Sequence, residues 1–189
     1  KAWMRLPKGT EYFFSDLHGE HKGFLRMLKS ASGTIRDKIE TLFSGALSKK
    51  DRAELAHLIY EPEAMLRHMQ REGLLSEEWY YLSITRLIMV FKAVSAKYTR
   101  SMAERVIPED FRGAINELSY KDEDESRAQY HYGVVRAILD TGIAGAFINS
   151  LCDAIRRLCV AQLYIIGDIY DRGAHPDLIM DELMAFQKV

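Results

Sequence analysis

Two short segments carry side chains whose types and spacing can do chemistry. They are Ser15-Asp16-Leu17-His18-Gly19-Glu20 and, far along the chain, Gly167-Asp168-Ile169-Tyr170-Asp171-Arg172-Gly173. Carboxylates and imidazoles are hard and borderline ligands, suited to divalent cations. Phosphate esters resist hydrolysis because their negative oxygens repel an incoming hydroxide. Two divalent ions about 3.5–4 Å apart overcome this by lowering the pKa of a water between them and neutralising charge in the transition state. Asp16 and His18 are suited to hold one ion, and Asp168 to bridge a pair. Asp171 does not easily reach the same ion and fits better behind the ligands, orienting one of them or the loop. Arg172 can fork onto a phosphate oxygen or pair with Asp171. Gly167 and Gly173 permit a tight backbone path around the carboxylates.

The elements that must position these groups are legible beside them. Tyr12-Phe13-Phe14 precedes the first segment and Leu163-Tyr164-Ile165-Ile166 the second, and each run reads as a buried strand. In an extended segment, side chains two apart point the same way, which would align Asp16 with His18. A second strand laid parallel to the first brings Asp168 to the same carboxyl edge, where open α/β sheets build their sites. Asp, His and Asp converging there form half of a two-metal phosphoester-cleaving centre.

The stretch between the two segments is helical in pattern. His21 to Lys29 reads as a helix stopped by Gly33, and Ile35, Ile39, Leu42 and Phe43 form one apolar stripe. Leu55, Leu58 and Ile59 form another. Glu63 to Glu72 follows, with Gly73 as its stop. Ser76-Glu77-Glu78 opens a long helix towards Tyr98, with negative charge where the helix dipole favours it. Pro108-Glu109-Asp110 opens another, and Lys121 to Glu125 reads as a charged, solvated break. Helical periods return from Ser126 to Leu139 and from Ile143 to Leu158, divided by Thr141-Gly142. The strand Ala161 to Ile166 and a helix begun by His175-Pro176-Asp177 close the chain. An ordinary parallel crossover takes a dozen or more residues. The much longer connection here predicts a helical subdomain inserted into an α/β core: residues 1–33 and 159–189 for the core and 34–158 for the insertion.

With 189 residues and 48% hydrophobic side chains, the chain can bury a substantial core. Its 26 basic and 27 acidic side chains nearly balance, so no general attraction to nucleic acid or anionic membrane is expected. No apolar run approaches the length of a spanning helix. The start at Lys1 rather than Met reads as that of a piece of a larger protein, and its first residues do not form a signal-peptide pattern. Cys152 and Cys159 read as lying on opposite phases of a helix, so buried free thiols in a reducing cytoplasm are expected rather than a disulfide. His21, near the metal edge, reads as a helix-surface residue or a phosphate contact. His175 reads as an exposed turn residue, and His57, His68 and His131 as ordinary positions of the insertion. Tyr130, Tyr132 and the Met-rich stripes read as packing.

An isolated Asp-x-His or Asp-Arg-Gly is commonplace; the two motifs together, each after a strand, are not. They resemble the calcineurin-like metallophosphoesterases. "FFSDLHGEHKGFLRMLKSASG", "YIIGDIYDRGAHPDLIMDELM" and the intervening "AILDTGIAGAFINSLCDAIRRLCVAQLYIIGD" resemble in particular the bacterial class III fructose-1,6-bisphosphatases, whose motifs are also widely separated. Asp16 and Asp168 here lie 152 positions apart. The resemblance implies a predominantly helical α/β chain with part of a calcineurin-like sheet, two parallel strands and a large helical insertion. It implies hydrolysis of fructose-1,6-bisphosphate in gluconeogenesis, with a binuclear divalent metal site, manganese by preference. By it, Asp16 and His18 match ligands of the first metal, Asp168 the bridging ligand, and Asp171 and Arg172 the supporting catalytic positions. A sugar bisphosphate is the implied substrate and a homo-oligomer the expected assembly, with no nucleic acid or membrane partner. Ala174 stands where the family often has proline. The family's later Gly-Asn-His-Asp/Glu motif and distal histidines, which supply the second metal's ligands, do not occur in these residues. The alternatives are a related Ser/Thr-protein-phosphatase-like enzyme, against which the long insertion speaks, and a non-catalytic helical assembly module.

Overall fold

Strands β1 (Glu11–Ser15) and β2 (Gln162–Ile166) lie side by side in parallel, with Glu11 opposite Gln162 and Ser15 opposite Ile166. The computed structural model describes residues 11–119, 125–160 and 162–187. Between the strands run α1 (His21–Ser30), a 3-10 turn (Ala31–Gly33), α2 (Thr34–Phe43), α3 (Lys49–Tyr60), α4 (Pro62–Arg71) and α5 (Glu77–Ser95). They are followed by α6 (Arg100–Arg105), α7 (Glu109–Ser119), α8 (Glu125–Asp140) and α9 (Ala144–Cys159), and α10 (Pro176–Gln187) follows β2. The chain is therefore mostly helical around a two-stranded parallel sheet, consistent with an α/β protein. Among the described residues no single helix is long and apolar enough to cross a membrane.

The long apolar helices α5 and α9 pack along each other at the centre. Ile84, Leu87, Phe91 and Val94 from α5 meet Phe147, Ile148, Leu151 and Ile155 from α9, all essentially inaccessible. Helices α2, α3, α7 and α8 pack around this pair, and α4 covers α9. Local chemistry sets the ends. The Ser76 hydroxyl accepts from the Trp79 amide and caps α5, and Ser48 and Asp51 form a reciprocal capping box at α3. Arg156 of α9 donates to the carbonyls of Ile59 and Tyr60 at 2.8 and 3.2 Å, satisfying the carboxyl end of α3. At the sheet, Tyr12, Phe14 and Phe24 join the same continuous core, and the Tyr12 hydroxyl reaches the Ala31 carbonyl and lies 2.9 Å from Thr34.

Several expectations need correction. The strands are covered on one face only: Tyr12 and Phe14 are buried, but Phe13 is 62% exposed and Ile166 59%. The helix α1 ends at Ser30, where Ala31 turns left-handed (φ 47°), so Gly33 caps the start of α2 rather than stopping α1. Helix α5 ends at Ser95, short of Tyr98. The six-residue α6 carries too few turns to announce itself by periodicity. The charged break at Lys121 to Asp124 lies outside the described residues. Cys152 and Cys159 are buried free thiols, but they share one phase of α9, because seven residues make nearly two full turns. A rise of about 10 Å between them is beyond disulfide reach.

Candidate metal centre

The hydrogen-bonded register of the strands continues into the two motif loops. The Asp16 amide donates to the Ile166 carbonyl at 3.3 Å, His18 to Asp168 at 3.0 Å and Gly19 to Ile169 at 2.8 Å. The His175 amide then donates to the Gly19 carbonyl at 3.3 Å, closing the second loop over the first. Gly19 and Gly173 are where these backbones touch. A Cβ on Gly173 would fall 1.9 Å from the His18 carbonyl oxygen, and one on Gly19 would fall 2.8 Å from the backbone of Gly173. Both positions require glycine for space.

The backbone in the loops is not extended. Asp16 and His18 have φ of 48° and 46°, and Arg172 has 70°. Left-handed geometry is unfavourable for residues with a Cβ and gathers where function over-determines the backbone. The strand alternation used to align Asp16 with His18 thus ends at Ser15, and the loop geometry places the side chains instead.

His18, Asp168 and Asp171 come together, with one ligand atom from each lying within 4.8 Å of the others. The His18 Nδ1 contacts Asp171 Oδ1 closely. Asp171 thus lies against a candidate ligand, on a loop in which Gly167 has φ 109° and Arg172 70°. Asp16 is not one of the three; its Oδ1 accepts from the Asp168 amide at 3.4 Å, beside the cluster. Gly167 leaves room for that carboxylate, since a Cβ there would sit 2.5 Å from it. The hydrogen bond from His18, aided by the Arg172 charge, holds the Asp171 carboxyl below the usual carboxylate range. The Arg172 Nε lies 3.3 Å from Asp171 Oδ2, with its side chain 79% exposed. In the sequence Asp171 reads as a group that orients a ligand or the loop, and its spacing from Asp168 does not say that His18 is the ligand it touches.

The remaining histidines stand apart. The His21 Nε2 faces Glu182 Oε1 at 3.7 Å, tying α1 to α10. His57, His68 and His175 are exposed, and burial lowers the pKa of the half-buried His131.

A divalent ion sits about 2.0–2.2 Å from oxygen and nitrogen ligands. Ligands on opposite sides of it are thus about 4 Å apart, which the spread of the His18, Asp168 and Asp171 ligand atoms allows. The donor set of one imidazole and two carboxylates, with a third carboxylate adjacent, fits such an ion chemically and does not choose among manganese, iron and zinc.

A family described as Firmicute fructose-1,6-bisphosphatase matches residues 1–189. The class 3 fructose-1,6-bisphosphatase of Clostridium tetani is 43% identical over 97% of this chain, which covers 28% of that relative. The one of Enterococcus faecalis is 41% identical over the whole chain and 30% of the relative. The one of Clostridioides difficile is 41% identical over 97% of the chain and 28% of the relative. The chain thus spans less than a third of the length of these curated relatives. No solved structure matches it.

Proposed function

Because this chain belongs to the Firmicute fructose-1,6-bisphosphatase family, we propose that it is the metal-binding amino-terminal portion of a metal-dependent phosphatase. The reaction is hydrolysis of fructose-1,6-bisphosphate to fructose-6-phosphate and phosphate, serving gluconeogenesis in the bacterial cytoplasm. The observation that carries this reading is the convergence of His18, Asp168 and Asp171 from two motifs far apart in sequence.

In this reading Asp16 and His18 would hold one ion, and Asp168 would be shared with a second. Divalent metal, manganese by preference, supplies positive charge facing the phosphate and a lowered pKa for a water at the site. Asp171 accepts from His18 Nδ1, which fixes the ring tautomer and leaves Nε2 to serve as ligand. Arg172, largely exposed and tied to Asp171 through its Nε, would turn the outer nitrogens of its guanidinium onto a phosphate oxygen. The second ion's remaining ligands come from parts of the longer protein outside these residues. The core, residues 1–33 and 159–189, carries the calcineurin-like chemistry, and 34–158 forms the insertion.

The test uses the longer protein carrying this segment, with phosphate release measured under saturating manganese. Asp168→Asn is expected to remove nearly all activity, and Asp171→Asn to lower it about 10–100-fold, as for a group that orients a ligand. Full activity in the Asp168 variant would overturn the metal assignment. Turnover of a phosphoprotein without turnover of the bisphosphate would favour the protein-phosphatase reading.

A further inference from the structure

The amino ends of β1 and β2 open onto a cavity of about 860 Å³ lined by Glu11 and Gln162. It lies at the end of the sheet opposite the motif loops, a strand length or about 15 Å away. Its size is that of small-molecule sites, which combine apolar walls with a few convergent polar groups. The apolar walls come from four helices: Leu25 and Leu28 of α1, Met102 of α6, Leu158 of α9 and Phe186 of α10.

The charged lining is unbalanced, with five basic side chains against three acidic ones. Asp153 already serves two guanidiniums, Arg156 at 3.3 Å and Arg157 at 2.8 Å. Glu182 faces His21. Lys29 is paired with Glu61 at 3.0 Å, Lys97 lies over the Tyr98 ring, and Arg105 has no carboxylate partner among the described residues. An anion entering here would meet the Arg105 guanidinium at the rim of apolar walls, where a forked, charge-assisted contact can form.

We propose that this cavity binds an organic anion with one phosphate- or carboxylate-sized head on an apolar body, and that its occupancy is transmitted to the motif loops through α1 and α10. The route is short. Helix α1 begins three residues after His18 and α10 five after Asp171, both helices wall the cavity, and they pack on each other. The consequence for metal binding rests on the function proposed above; anion binding and its effect on the loops do not.

The probe is 8-anilinonaphthalene-1-sulfonate, which joins an anionic head to an aromatic body. Its neutral relative N-phenyl-1-naphthylamine serves as control, and both are titrated by fluorescence into the whole chain. Saturable binding of one sulfonate probe per chain is expected, about tenfold tighter than the neutral probe. Arg105→Glu and the cavity-filling Met102→Trp are each expected to weaken it about tenfold, whereas Phe13→Lys on the exposed sheet face leaves it unchanged. Both altered cavity residues are exposed, so folding is retained and checked by circular dichroism. Hydrogen exchange supplies the second readout: the His18 and Gly19 amides are expected to exchange about threefold more slowly with the probe bound. Equal binding by Arg105→Glu, Met102→Trp and the parent chain would overturn the site. Unchanged exchange at His18 and Gly19 under saturating probe would overturn the transmission while leaving the site standing. Since no metal is added, neither result depends on the phosphatase reading.

Discussion

At the scale of residues, three of the four non-glycine positive-φ residues among those described, Asp16, His18 and Arg172, belong to the two motifs. Left-handed geometry costs about 1–2 kcal/mol per residue, and the hydrogen bonds between the loops hold it in place. Gly173 is the point of closest approach, so Gly173→Ala tests that arrangement. Its methyl would overlap the His18 carbonyl and force the loops apart. Manganese affinity measured by isothermal titration is expected to fall about 10–100-fold, as when a group positioning a ligand is lost. The far-UV circular dichroism should persist, because the helices do not depend on this contact. Gly23→Ala is the matched control: nothing lies near its added methyl, and α1 gains helix propensity. Equal affinity in the two variants would show that the loops are not held as described.

At the scale of elements, α9 buries two thiols. Burial pushes Cys152 up to about 12 and Cys159 up to about 11, from the ordinary value of 9.0. The folded state therefore keeps protons that the unfolded chain releases. That contribution to stability is fully present below pH 9 and is lost as the pH rises through 9 towards 11–12. Each thiol should remove up to about 1.4 kcal/mol of stability per pH unit across that window. Urea denaturation between pH 8 and 10.5 is expected to show the decline, with a shallower slope for Cys152→Ala. At pH 8 neither thiol should react with a disulfide reagent until the chain unfolds. Rapid labelling of the native chain would contradict the burial of both groups.

At the scale of the whole molecule, one face of the sheet is exposed among the described residues. Phe13 and Tyr164, opposite each other in the register, stack at 4.8 Å with Ile166 exposed nearby. Parallel sheets are normally buried on both faces, and open edges recruit further strands. We therefore expect the chain to self-associate, as its reading as a homo-oligomer proposes. Light scattering should give a mass above 21.7 kDa that rises with concentration. Phe13→Lys combined with Tyr164→Lys should restore the monomer, because opposed ammonium groups oppose pairing and the apolar face is lost. A parent chain that stays monomeric at high concentration would count against this.

The sequence by itself determined where most elements lie and which segments carry chemistry. Ser76-Glu77-Glu78 announced α5, Thr141-Gly142 the break before α9, and the two apolar runs the strands that place both motifs at one edge, because caps, breakers and periodicity act within a few residues. The shared phase of Cys152 and Cys159 was also available from helix arithmetic. Tertiary structure alone decided which side chains converge. A left-handed turn at Asp16 or His18 leaves no periodic trace, so strand alternation could not foretell that Asp171 would contact His18 while Asp16 turned to the Asp168 amide. It also decided that Phe14 is buried while Phe13 is bare. Both are apolar, and burial depends on whether another part of the molecule lies above that face.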